Sequence, residues 1–362
     1  MILDPFLDLF RGKAVTIPPM DGAFRPNIVL DEARAALEIE APDNLATDGG
    51  EFLFSSGKDI LALPPGADAP VRVTQCQATV TAIAAGPGRA LAIAGDDGTI
   101  IIQGGPHAGK NLAPAMFNNL ACPTAMAFDG PDGLFITQGS SRHRASDWAV
   151  DLMEKNARGS LWRVDLAKSS AQRLAGELAF PYGILVQPQR IVLAESWRHR
   201  LVAIPREGGA LQPLLTELPG YPARLSPAAD GGAWLALFAP RNRLIEFVLL
   251  EDDYRAAMMR EIARPHWIAP ALSSGESFLE PLQSGGVKTM GMHKPWSPSR
   301  SYGLVVRLDA DLRPIASFHS RANGRRHGVT SVAELGGRVF VASKGGNAIL
   351  DITDAAGSEH RA

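Results

Sequence analysis

Apolar residues along this chain come in short continuous runs, separated by turns rich in glycine, aspartate and proline. Residues 180–204 show the unit: Ile184-Leu185-Val186, a turn at Gln187-Pro188-Gln189-Arg190, a second run from 191 to 194, a polar corner from Glu195 to His199, and a third run from 201 to 204. Apolar runs bounded by turn residues in this way predict strands joined by hairpins. Five further segments repeat the pattern, starting at Ala41, Val80, Pro123, Tyr221 and His327.

Third strands follow each pair, at 60–63, 99–102, 160–164, 201–204, 302–308 and 347–352, and the fifth unit has a fourth at 315–319. Six matching units predict an all-β six-bladed β-propeller spanning 1–362 as one domain; a β-sandwich with similar turns would not call for them. The sixth unit lacks a fourth strand of its own, so an N-terminal strand, placed at 14–17, is expected to complete it.

Two stretches interrupt the pattern. Residues 140–158 carry a short helix with Trp148, Leu152 and Met153 on one face. Residues 242–301 carry a charged helix, about 252–263, then a Pro, Gly and Ser-rich tract with His266, Trp267, Met290, Met292, His293 and Trp296. A tract of this length inside a compact domain is expected to act as a lid.

Composition narrows the class. The chain has 362 residues, 46% of them hydrophobic and 20% charged, with a formal net charge of -2, so it has ample core and no basic face for nucleic acid. Two cysteines, Cys76 and Cys122, are expected to be reduced and buried, which fits a cytoplasmic protein. The first dozen residues are apolar but interrupted by Asp4 and Asp8, and form neither a secretory signal nor a spanning helix. Docking onto the protein's own body is favoured over contact with a membrane surface, where these acids would be repelled by anionic lipid. The expected partner is a small-molecule substrate, and the oligomeric state is left open.

Because successive strands run antiparallel, the start of each innermost strand and the link between second and third strands emerge on one face. The innermost starts offer Asp43 with Asn44, Thr124, Tyr182, Ala223 with Arg224, and His327 with Thr330. The links offer Ser140 to His143, then Glu195, Trp197, Arg198 and His199, then Lys344. Taken singly, these residues have structural readings: Glu195 as acceptor for a loop amide, Trp197 as packing, each histidine as a satisfied polar group. Together they form a hydrolase-like inventory. Asp43, Glu195, His199 or His327 would supply the base, and Tyr182 or Arg224 would stabilise an oxyanion. Asn44, Thr124, Ser141, His143, Trp197, Thr330 and Lys344 are expected to contact substrate. No cofactor-binding or metal-binding set is expected.

The segments 179–204, 217–244 and 327–346 resemble the strictosidine-synthase-like family, which belongs with the gluconolactonase (regucalcin-type, SMP-30-like) and paraoxonase lactonases. The resemblance runs over nearly all of the chain, and A-E-S-W-R-H-R-L at 194–201 and L-P-G-Y-P at 218–222 are its most specific parts. It implies a six-bladed propeller with its active site at the channel mouth. It also implies, in the lactonases, a divalent cation, usually calcium, held by acidic and amide side chains at the innermost-strand starts. Asp43 and Asn44 match the first of these places, but Thr124, Tyr182 and Ala223-Arg224 stand at later ones. A guanidinium opposes a hard cation, so no tightly bound calcium is expected and at most weak binding through Asp43 and Asn44. The glutamate that strictosidine synthase uses early in its last blade maps near Thr330, with Glu334 further along in the turn. The expected function is hydrolysis of a small lactone or ester without tight calcium. The alternatives are a non-enzymatic propeller that binds a small molecule or protein, and amine-aldehyde condensation.

Overall fold

The apolar runs form sheets whose two faces are both covered, which is why they read as continuous stretches. In Arg190–Glu195, the residues Ile191, Val192, Leu193 and Ala194 are all fully buried. This strand is the second of four in a consecutive antiparallel sheet, between Pro181–Val186 and Arg200–Pro205, with Gln212–Leu215 outermost. The computed structural model describes residues 17–358 apart from 48–49, 65, 68, 118, 276–279, 281–287, 290–291 and 294–298.

Among the described residues there are six such four-stranded sheets. Their innermost strands are Pro42–Thr47, Val80–Gly86, Pro123–Asp129, Pro181–Val186, Gly220–Pro227 and Val329–Leu335. Each contacts the next, and the last contacts the first, so the sheets close into a six-bladed β-propeller. A separate apolar cluster fills each gap between neighbouring blades. Leu185, Val192, Ala194 and Leu201 of blade four, for example, meet Leu225, Leu235, Leu237 and Val306 of blade five. Each leucine and valine among them contributes roughly 1.5–3 kcal/mol on full burial.

The strand that completes blade six is Arg34–Glu38, which pairs antiparallel with Ala348–Asp351. It corrects the placement at 14–17: Ile17 is not in a strand, and 14–16 lie outside the described residues. The intervening chain runs along the outer strand of blade five. There Asn27 Nδ2 donates to the Ser317 carbonyl at 2.8 Å and Ser320 donates to Asp31 at 2.8 Å. Those anchors bring the chain to the edge of blade six only at residue 34.

Both interruptions leave from the expected links. The first contains the helix Trp148–Met153. The second opens with a helix absent from the sequence reading, Arg243–Leu250, followed by Asp252–Glu261. Asn242 caps the first helix by accepting from the Leu244 amide at 2.9 Å, and its Nδ2 donates to the Ser299 carbonyl at 3.1 Å, fastening both ends of the insertion together. Ile245, Val248, Met258 and Trp267 are buried in the same cluster as Tyr221 and Phe238. Met290 and Trp296 lie outside the described residues, and the side chains of Met292 and His293 are likewise not described. Cys122 is buried and Cys76 only half-buried; both are free thiols. Among the described residues no helix is long and apolar enough to cross a membrane.

Candidate functional site

One register position recurs around the channel. The innermost strands are bulged where they begin, with pairing broken across Thr81, Thr124, Tyr182, Thr330, the Ala223-Arg224 pair, and Asn44-Leu45 next to Asp43. A bulge leaves the extra residue out of the ladder and re-aims its side chain, and such features gather at barrel rims and active sites. Five of these six places were read from the sequence. Thr81, at the same point of blade two, was missed although its position identifies it.

Arg224 and Asp43 occupy the centre. The Arg224 guanidinium lies 2.6 Å from Asp43 Oδ1, and the Lys344 ammonium lies 2.9 Å from Oδ2. Arg224 also donates to the carbonyls of Thr81 at 2.7 Å and Thr124 at 3.1 Å, and its Cζ stands 4.8 Å from the centre of the Tyr182 ring. Gly183 makes this approach feasible, because a Cβ there would collide with the Ala223 carbonyl on the neighbouring strand.

Burial alone would raise the Asp43 carboxyl, but the charges of Arg224 and Lys344 outweigh it and hold the group at about 2. Burial likewise works against the charged form of Lys344, and Asp43 reverses this and raises its pKa. Tyr182 is pushed up by burial and by the Asp43 charge, so its phenol stays protonated. Among the described residues Asn44 Oδ1 and Thr330 Oγ1 are buried with no hydrogen-bond partner, although the Thr330 hydroxyl is near enough to help lower Asp43.

Above this cluster lies a cavity of about 220 Å³. Asp43, Lys344, Thr124 and Thr81 line its floor end, and Trp148, Phe180, Tyr182 and Phe238 supply four aromatic rings. Leu272 comes from the larger insertion, seated where Gly328 and Gly345 leave no side chain in its way. Asp96 also lines the cavity, its Oδ1 accepting from the Ser146 amide at 3.1 Å. Asp96, Phe238 and Leu272 were not anticipated, since only the folded chain brings these loops together.

The structure places several other predicted residues away from this cavity. Glu195 is fully buried and accepts from the Ala179 amide at 2.8 Å, from Arg200 Nε at 2.6 Å, and from Arg198. It is a corner clamp. His199, in a left-handed conformation (φ 47°), puts Nδ1 3.2 Å from the Gly220 carbonyl and Nε2 3.3 Å from Glu246 of the first insertion helix. The His327 ring contacts Ser301 Oγ at 2.7 Å and the Arg321 carbonyl at 2.8 Å. His143 pairs with Glu154 at 2.8 Å, and Ser141 is exposed beside it. Trp197 stacks on Phe180 with ring centres 4.4 Å apart and donates to Asp151, so it backs the cavity wall from behind. Glu334 accepts from Trp234 Nε1 at 3.1 Å and from the Ala229 amide at the far turns of blades five and six.

The donor set does not suit calcium. Both Asp43 oxygens are engaged by cations, and a hard divalent ion needs several oxygen ligands free of such competition. Among the described residues no group of three or more His, Cys, Asp or Glu side chains is placed to hold a metal ion.

Residues 125–201 match the strictosidine synthase family model. The chain is 24% identical over 257 residues to the adipocyte plasma membrane-associated protein of Danio rerio, covering 62% of this chain and 60% of that protein. It is 26% identical over 117 residues to the strictosidine synthase-like 6 protein of Arabidopsis thaliana, 32% of each chain. The chain thus spans about three fifths of the length of the first curated relative it matches. Among solved structures, a gluconolactonase from Xanthomonas campestris superposes with a TM-score of 0.55 at 13% identity, covering 89% of this chain and 90% of that one. The chain is therefore a six-bladed β-propeller, similar over residues 125–201 to the strictosidine synthase family, with a gluconolactonase among its structural neighbours.

Proposed function

We propose that the chain hydrolyses a small, mainly apolar lactone or ester in the channel-mouth cavity, without tightly held calcium. The observation that carries this reading is the ammonium of Lys344 on the cavity wall, braced by Asp43, at the mouth of a channel whose central carboxylate is already neutralised by two cations. A preorganised cation in a water-poor pocket stabilises the negative charge that develops on an acyl oxygen. The protonated Tyr182 phenol lines the same cavity and is the second donor. Asp43 is not the base, because its carboxyl stays ionised down to about pH 2 and both oxygens are engaged. That role passes to Asp96. It takes a proton from water as the water oxygen bonds to the acyl carbon, and returns a proton to the leaving alkoxide as the acyl C–O bond breaks. Fold likeness carries no chemistry by itself, but the gluconolactonase neighbour makes lactones the first class to try.

The test is turnover on a panel of small lactones and aryl esters, with a chelator and with added calcium. The expected result is hydrolysis unaffected by chelator and lowered about 100-fold by Lys344→Met or Asp96→Asn. No turnover anywhere on the panel overturns the reading. A second reading, binding without catalysis, draws on the histidines: His143, His199 and His327 are all engaged away from the cavity. Saturable ligand binding with no product would establish it.

A further inference from the structure

We propose that the ligand held in this cavity is a small apolar monocarboxylate, anchored by Lys344. The proposal rests on the cavity being the ligand site, as above, but not on hydrolysis taking place there.

Access to the cavity separates the two cations at the channel mouth. Arg224 is held in place: three of its five N–H donors go to Asp43 and two backbone carbonyls, and the Tyr182 ring lies beside its carbon. It does not line the cavity. Lys344 does, and among the described residues its ammonium hydrogen-bonds only to Asp43. An ammonium has three N–H donors. Two therefore remain for whatever enters.

Charge points the same way. Asp43 faces two cations, so this cluster by itself carries one positive charge in excess, on a Lys344 side chain that is 29% exposed, and Asp96 is the further carboxylate of the cavity. An unbalanced charge beside low-dielectric walls favours a ligand that neutralises it, and charge-assisted hydrogen bonds are about twice as strong as neutral ones. Asp96 repels an anion from its own side of the cavity. That orients the carboxylate toward Lys344 and leaves the apolar body among Trp148, Phe180 and Phe238. The cavity's 220 Å³ suits a single-ring or short branched acid. A carboxylate is also what ester or lactone hydrolysis leaves behind, so such ligands double as product analogues.

The experiment uses the full chain and three single-ring probes of similar size, phenylacetate, benzyl alcohol and phenethylammonium, read by titration calorimetry and by tryptophan fluorescence, with Trp148 on the cavity wall. Phenylacetate is expected to bind saturably and about tenfold or more tighter than the other two. Lys344→Met removes that preference, while Lys344→Arg, which keeps the charge, retains part of it; unfolding curves establish that each variant is folded. Equal or tighter binding of the alcohol or ammonium overturns the proposal, as does a preference surviving in a folded Lys344→Met, or no saturable binding of phenylacetate, benzoate or isovalerate. The ammonium arm also tests the competing idea that the four rings and Asp96 form a cation cage. Carboxylate preference without ester turnover leaves this inference standing and removes hydrolysis alone; turnover without carboxylate binding does the reverse.

Discussion

Arg224 and Asp43 are 181 residues apart in sequence and 2.6 Å apart across the propeller channel. The pair joins blade five to blade one, and Lys344 from blade six bonds the other Asp43 oxygen at 2.9 Å. Buried ion pairs gain little over apolar packing but cost a great deal to break by removing one partner.

Asp43→Asn strands two cations beside each other. It is expected to lower unfolding free energy by about 3–5 kcal/mol in urea titrations, whereas Arg224→Met, which leaves Lys344 on Asp43, costs less. The same carboxyl makes stability acid-sensitive. Its folded value of about 2 lies below its ordinary 3.8, so its contribution is fully present above about pH 4 and is lost as pH falls toward 2. That contribution amounts to roughly 2 kcal/mol. Unfolding of Asp43→Asn lacks this part of the slope; an unchanged slope would contradict the assignment.

His319 supplies a dependence at milder pH. It is fully buried between Ser317 Oγ at 2.7 Å and the Tyr302 hydroxyl at 3.2 Å, and burial, reinforced by the charge of Arg321, pulls it down to about 4 from 6.5. The unfolded chain takes up this proton before the folded one does. Stability is therefore unaffected by His319 above about pH 6.5 and falls by roughly 3 kcal/mol as pH drops to 4. In His319→Asn that decline should disappear, which chemical denaturation at a series of pH values will show.

Glu195 lies outside the cavity, and its variant separates structure from function. Glu195→Gln weakens the bonds to Arg198 and Arg200 and is expected to cost about 2 kcal/mol of stability. Phenylacetate affinity should be unchanged at temperatures where the variant is folded. A selective loss of affinity with stability intact would return Glu195 to the site.

The residues whose place around the channel was legible in the sequence were so because a propeller repeats one local geometry. Asp43, Thr124, Tyr182, Arg224 and Thr330 each lie near the start of an innermost strand, the last four inside the bulge there and Asp43 beside one. The corner residues had no such rule. Glu195, His199, His143 and His327 sit near the expected links or strand starts, but their orientation depends on distant partners: Ala179, Glu246, Glu154 and Ser301. The closing strand Arg34–Glu38 was displaced from its expected place because a short half-exposed edge strand carries little hydrophobic pattern.

The sequence alone determined six blades and the ring of residues at their inner starts, because runs, turns and strand alternation are local properties repeated along the chain. Only the tertiary structure decided what that ring does. Closing the propeller set Arg224 and Lys344 on the two oxygens of Asp43 and brought Asp96, Trp148, Phe238 and Leu272 to one cavity. Electrostatic pairing and enclosure act through space between blades, and no local pattern specifies which charges will meet.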